Sequence, residues 1–204
     1  MNIQKLYRLV DSIVLKQTEL TKHWHKIGYQ KVIKYSGNSL LLTVKANHAS
    51  NYLLWHTEDI VRRKDISDKK IVECKRKIDL LNQKRTNYFE KIDTIFVPLI
   101  CTQIKQNMPV HTETIGMIID RLSILSLKIY HMKEQTIRKD VPVDHLMVCK
   151  TKLKILSQQQ KDLIVATKSL IKECVEGKKQ IKLYHSFKMY NDPKLNPQLY
   201  KKSN

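Results

Sequence analysis

Across most of its 204 residues the chain repeats apolar side chains at intervals of three and four, and it holds only four glycines and five prolines. An α-helix returns to the same face every 3.6 residues, whereas a sheet protein of this size needs a turn roughly every ten residues. The expected fold class is therefore all-α: a single-domain bundle of about five helices with an irregular C-terminal tail. A chain of this length buries a substantial core without a disulfide or metal staple.

The first helix is expected over residues 2–26, with Ile3, Leu6, Leu9, Val10, Ile13 and Val14 on its apolar face and its end near His25. Residues 28–38 hold two of the four glycines and read as a loop. Ser39 caps a second helix that runs to about Arg63. Ser67 caps a third, from Lys69 to about Gln106, tolerating or kinking at Pro98. Its seam, Ile71, Cys74, Ile78, Leu81, Tyr88, Ile92, Ile95 and Leu99, steps by three and four. After the break at Asn107-Met108-Pro109, Thr112 or Thr114 caps a fourth helix over roughly 113–138. Val141-Pro142-Val143 separates it from a fifth, about 143–176, which Gly177 ends. The domain so drawn has an N-terminal helical segment (1–35), a helical core (38–187) and a tail (188–204).

The net charge of +19 raises nucleic acid, an anionic membrane surface or a phosphorylated ligand as partners. Lysines greatly outnumber arginines and are spread along every helix, the pattern of a solvated surface, so nucleic acid ranks below the other two. Four cysteines, 25 to 48 residues apart and without a C-x-x-C pair, read as reduced thiols. No stretch approaches the ~18 apolar residues of a membrane span, and the start has no apolar signal region, so a cytoplasmic protein is expected.

Several charged or polar residues fall where helix geometry points inward. Arg85 shares a face with Ile78, Leu81, Phe89 and Ile92, with Asn82 beside it. An unpaired buried charge costs several kcal/mol, so Arg85 is buried against an acid, aimed at a bound anion, or snorkels to solvent from the seam edge. The fourth helix is apolar around nearly its whole circumference, the mark of a helix buried on several sides. Asp120, Arg121, Ser123, Lys128 and His131 are set into it. Asp120 and His131, three turns apart, share a face, with Arg121 and Lys128 at its edge. On the second helix His48, Asn51, Trp55, Asp59 and Arg62 lie in one sector that Glu58 borders, and Trp55 marks that sector as inward-facing.

No glycine-rich phosphate loop, G-x-S-x-G elbow or dinucleotide fingerprint occurs. No H-x-x-x-H or E-x-x-H pair occurs in these helices, so the expectation is a chain without metal or other cofactor. What the pattern supports is a pocket between the second, third and fourth helices. In it Arg85, Arg121 and Lys128 hold an anion, while Asn51, Asn82, Trp55 and Glu58 orient it. His48 or His131, with Asp59 or Asp120, are the candidates to move protons. The pattern names no reaction.

Four runs carry a resemblance: H-A-S-N-Y-L-L-W-H-T-E-D (His48 to Asp59), K-R-K-I-D-L-L-N-Q-K-R-T-N-Y-F-E-K-I-D (Lys75 to Asp93), T-E-T-I-G-M-I-I-D-R-L-S-I-L-S-L-K-I-Y-H-M (Thr112 to Met132) and K-M-Y-N-D-P-K-L-N-P-Q-L-Y (Lys188 to Tyr200). In this order they resemble an uncharacterised all-helical family of bacterial proteins. The resemblance implies a domain of unknown function whose genes tend to lie near glycosyltransferases of lipopolysaccharide and other surface-glycan assembly. The N-terminal 35 residues lie outside it.

Asn191-Asp192-Pro193 and Asn196-Pro197 favour turns, so the tail cannot continue a helix. Folded back over the bundle it closes one end of the pocket, with Tyr190 its ligand contact; the alternative is a disordered terminus. The leading functional expectation is binding of a phosphosugar, nucleotide-sugar or similar anion. The second is an adaptor docking on a glycosyltransferase or an anionic membrane surface, and the third nucleic-acid binding. The long third helix supports a homodimer as readily as an intramolecular bundle.

Overall fold

The computed structural model describes residues 2–28, 32, 35, 37–101 and 107–201. Its long helices are α1 (Ile3–Ile27), α2 (Leu40–Val61), α3 (Asp68–Ile100), α4 (Ile115–Gln135) and α5 (Val143–Val175). The all-α class stands. Four starts are set by side chains that accept a hydrogen bond from the first turn: Asn2 from Gln4 N, Ser39 from Leu42 N, Ser67 from Lys70 N and Thr114 from Met117 N. Each satisfies a backbone donor that has no partner within its helix.

Helix α3 ends at Ile100, short of the Gln106 expected from its seam. The helix tolerates Pro98, which lacks only the N–H of one bond, and ends where Cys101, its N–H still donating to Val97 O, leaves helical geometry at φ −98°, ψ 67°. Residues 102–106 of the expected extension lie outside the described residues. Helix α5 ends where Gly177 adopts φ +66°, its N–H donating to Cys174 O and the next N–H to Glu173 O. This conformation is cheap for glycine and closes the last turn.

Helix α4 is the hub and packs against α1, α2, α3 and α5, as its all-round apolarity requires. Around it lies the main core: Leu6, Val10 and Ile13 of α1, Val44 of α2, Ile92, Phe96 and Ile100 of α3, Ile115, Ile119 and Leu122 of α4, and Leu170 and Ile171 of α5. Helices α2 and α3 form a hairpin, its far end closed by Leu54, Ile78 and Leu81. The chain after α3 and the chain after α5 meet in a two-residue parallel ladder, β1 (Val110–His111) with β2 (Gln180–Ile181).

The tail folds back on the bundle. It lies along α3: the Ser186 N–H donates to Glu90 at 2.9 Å, Lys188 Nζ to the Asn82 carbonyl at 3.2 Å, and Asn191 Nδ2 to Gln83 at 2.9 Å. It then makes a 3₁₀ turn (Met189–Asn191) and one helical turn, α6 (Pro197–Tyr200). Pro197 is tolerated because it stands at the helix start, behind the Asn196 cap.

Helices α3 and α4 approach each other closely at Gly116. A methyl group there would sit 2.0 Å from the Phe89 carbonyl oxygen and 2.8 Å from the Asp93 carboxylate, and neither can move aside without separating the helices. The same carboxylate accepts from Gly116 N and from Thr114 Oγ1, both at 2.6 Å, and so ties the start of α4 to α3. Gly116→Ala is expected to destabilise the fold by about 3 kcal/mol through overpacking. Urea denaturation checks this; a loss under about 1 kcal/mol would mean that the helices separate cheaply.

Candidate functional site

Helix α2 is buried on two sides. Ala46, Ala49 and Ser50 are small enough for close packing, while Asn47, His48 and Asn51 carry polar groups into the interior. Facing them is Asp120 of α4, 3% exposed. Arg85 Nε lies 2.9 Å from each Asp120 oxygen, and the guanidinium's Nη2 also donates to Oδ2. Asn47 Nδ2 and Asn51 Nδ2 donate to Oδ1 at 2.9 and 2.8 Å. Several donors thus compensate the carboxylate for lost hydration, which keeps a buried ion pair tolerable. Arg85 is thus paired with an acid, the first of the three readings open for it.

The polar chain continues inward. Asn51 Nδ2 donates to Ser123 Oγ at 3.0 Å, Ser123 lies 2.7 Å from His48 Nδ1, and His48 Nε2 lies 3.0 Å from Thr21 Oγ1. The Thr21 hydroxyl donates to the Gln17 carbonyl, so it accepts from His48. His48 therefore carries its proton on Nε2, and Ser123 donates to Nδ1. Burial drives the His48 pKa down to about 3, against a bond to the Gln17 backbone and the charge of Asp120, both of which pull it up. His48 is a neutral, fully buried residue behind the ion pair, outside the lining of the cleft described below.

Above Asp120 opens a cleft of about 410 Å³ between α2, α3 and α4. Asn51, Trp55, Glu58, Asp59, Arg62, Asn82 and Arg85 line it, with Leu54, Ile124 and Leu127 as its apolar wall. Seven polar or aromatic residues singled out from helix geometry therefore converge. Arg85 keeps 29% of its side chain exposed, and Arg62 at the rim lies 3.4 Å from Glu58 and 4.0 Å from Asp59. The two guanidiniums are thus balanced by Asp120 below and by the rim acids, and the cleft is polar without a strong net charge.

Other expected members lie elsewhere. Asp120 and His131 do share a face of α4, but eleven residues at 1.5 Å rise place them about 16 Å apart, too far to exchange a proton directly. Arg121 points outward and donates to Glu113 at 2.8 Å. Lys128 is exposed and lines grooves toward α5. Tyr190 is 63% exposed and, with Lys75, Asp79, Asn82, Lys188 and Asn191, lines a separate depression where the tail crosses α3. The tail does fold back on the bundle, yet the cleft lining includes none of its residues. Asn47, which completes the shell of Asp120, was missed; its signal was position i−4 from Asn51 on the same stripe.

His131 belongs to a different cluster. Its ring stacks on Trp55 at 4.7 Å and meets His25 of α1 at 4.8 Å and His56 of α2 at 5.6 Å. Tyr130 stacks on His25 at 4.0 Å. Burial lowers the pKa of His25 and takes that of His56 to about 4, with the neighbouring imidazoles adding to the shift. His25 and His56 escaped the sequence reading because the three histidines come from three helices, so no helical period links them.

Residues 42–183 match the model of a family described as a protein of unknown function, DUF4254. No curated protein and no solved structure matches the chain.

Proposed function

The chain belongs to the DUF4254 family, whose function is not established, and from that premise we propose that it binds a phosphorylated sugar or nucleotide-sugar in the cleft between α2, α3 and α4. The observation that carries this reading is the lining itself: an indole, two amides, two carboxylates and two guanidiniums around about 410 Å³, over an apolar wall. Sugars offer alternating hydroxyls and C–H faces, which such a mixture of polar groups and aromatic surface suits. The balanced charge favours a ligand recognised mainly through its hydroxyls, with the free edge of Arg85 and the rim Arg62 left for a phosphate.

The setting, bacterial surface-glycan assembly on the cytoplasmic side, is part of the same proposal and rests on the sequence resemblance. No helix among the described residues is long and apolar enough to cross a membrane, which is compatible with it. An adaptor role has one observation in its favour. The first half of α5 exposes Val143, Met147, Val148 and Ile155, apolar surface that a glycosyltransferase could cover.

Thermal-shift measurements with sugar 1-phosphates and nucleotide-sugars separate the two readings. A ligand at ~100 times its dissociation constant adds roughly 2.7 kcal/mol of stability. Asp59→Ala and Asn82→Ala should remove the shift while leaving the ligand-free melt within about 0.5 kcal/mol, since both side chains lie at the cleft surface. Arg85 is unsuited to this test because its removal strands Asp120. A cooperative melt that no sugar phosphate moves would overturn the proposal, and recovery of a glycosyltransferase in a pull-down would then favour the adaptor.

A further inference from the structure

Independently of the cleft, the structure brings together three imidazoles, His25, His56 and His131, each offering one ring nitrogen within 4.8 Å of the other two. They come from α1, α2 and α4. Two of them are oriented by their other nitrogen. His25 Nδ1 lies 2.7 Å from the Thr21 carbonyl and His131 Nδ1 lies 2.9 Å from Glu134 Oε2. A carbonyl and a carboxylate only accept, so each Nδ1 carries the proton and each Nε2 presents its lone pair. Both Nε2 atoms are buried and, among the described residues, have no hydrogen-bond partner.

A buried acceptor without a donor is costly, and two beside a third imidazole call for a shared electrophile. We propose that His25, His56 and His131 form a binding site for a divalent transition-metal ion of the zinc class. The carboxylate–histidine pairing at Glu134–His131 and the carbonyl–histidine pairing at Thr21–His25 are the outer contacts that orient metal-ligating histidines. Zinc–nitrogen bonds of about 2.0–2.1 Å at tetrahedral angles separate ligand nitrogens by about 3.4 Å, so each ring closes in by less than about 1 Å. Nitrogen donors of intermediate softness favour zinc, cobalt or nickel over calcium and magnesium, which take oxygen ligands. Three protein ligands leave a fourth position for water or a ligand. His25 lies outside the span matched by the family model, and His56 and His131 lie within it.

The test uses the untagged, full-length chain stripped with a chelator and titrated with Co²⁺ alone. The expected result is one Co²⁺ per chain, a visible absorption of four-coordinate intensity, its bleaching by one equivalent of Zn²⁺, and a higher melting temperature. His131→Ala and His56→Ala should weaken binding at least tenfold, and Glu134→Gln by roughly 10-fold as an outer contact. No absorption at stoichiometric Co²⁺, or undiminished binding in folded His131→Ala, overturns the site. Should these variants fail to fold, ¹⁵N spectra of the unmodified chain decide. One equivalent of Zn²⁺ should move the imidazole signals of His25, His56 and His131 and spare the other five of the eight histidines. Movement elsewhere, or none, overturns it.

Discussion

Replacing Asp120 with alanine is expected to cost about 4 kcal/mol of folding stability, a sizeable share of what a domain of this size holds. The carboxylate accepts from Arg85, Asn47 and Asn51 at once. Its loss leaves two amides and a guanidinium facing a cavity beneath the cleft. Arg85, partly exposed, can turn to water and recover some of that loss. Asp120 has no such escape, so Arg85→Ala should cost at least as much as Asp120→Ala. Replacing both with apolar residues, as in Arg85→Met with Asp120→Leu, should cost less than the sum of the single losses, because neither charge is then stranded. Urea denaturation of the four proteins decides. A loss below about 1 kcal/mol for Asp120→Ala would mean that the pair is dispensable to folding.

The second large effect is acid lability centred on His48. The unfolded histidine titrates near 6.5, whereas in the fold its pKa is lowered to about 3. On acidification the unfolded state takes the proton first. The stabilisation is therefore complete above pH 6.5 and is lost as pH falls from 6.5 toward 3. Over that window His48 contributes roughly 4–5 kcal/mol at 1.36 kcal/mol per unit. His25 and His56, also lowered, act in the same direction, with smaller effect because they are less completely buried. Asp93 opposes them: burial raises its pKa to about 6, so the folded state takes that proton first and gains stability as pH falls from 6 to 4. One such group against three histidines leaves the net sign unchanged. Stability measured from pH 7 to 4 should fall steadily, and His48→Gln should flatten the slope by up to about 1.4 kcal/mol per pH unit. An unchanged slope would show that His48 is not the neutral group its surroundings require.

These two effects concern residues that were legible to different degrees. Arg85, Asp120, His48 and Asn51 were marked by a purely local argument, polar residues on faces that the helical period turns inward. That argument also marks which helices face one another, because an all-round apolar α4 must be surrounded. It fails along the helix axis and around its edge. Asp120 and His131 have nearly the same azimuth and separate neighbourhoods, and Arg121 and Lys128 sit far enough round α4 to reach solvent. Pairing partners were illegible for the same reason: nothing local says that the acid opposite Arg85 is Asp120, 35 residues away.

The sequence alone determined the helical class, the caps at Ser39 and Ser67, a cap at Thr112 or Thr114, the stop at Gly177 and the polar stripes of α2, α3 and α4. All of these depend on residues within one or two turns of each other. Tertiary structure decided where α3 stops, that the tail runs along α3, which stripe residues share the cleft, and that three histidines from three helices meet behind Trp55. Those outcomes depend on how far each helix slides along its neighbours, and that is set by packing at close approaches such as Gly116 against Phe89.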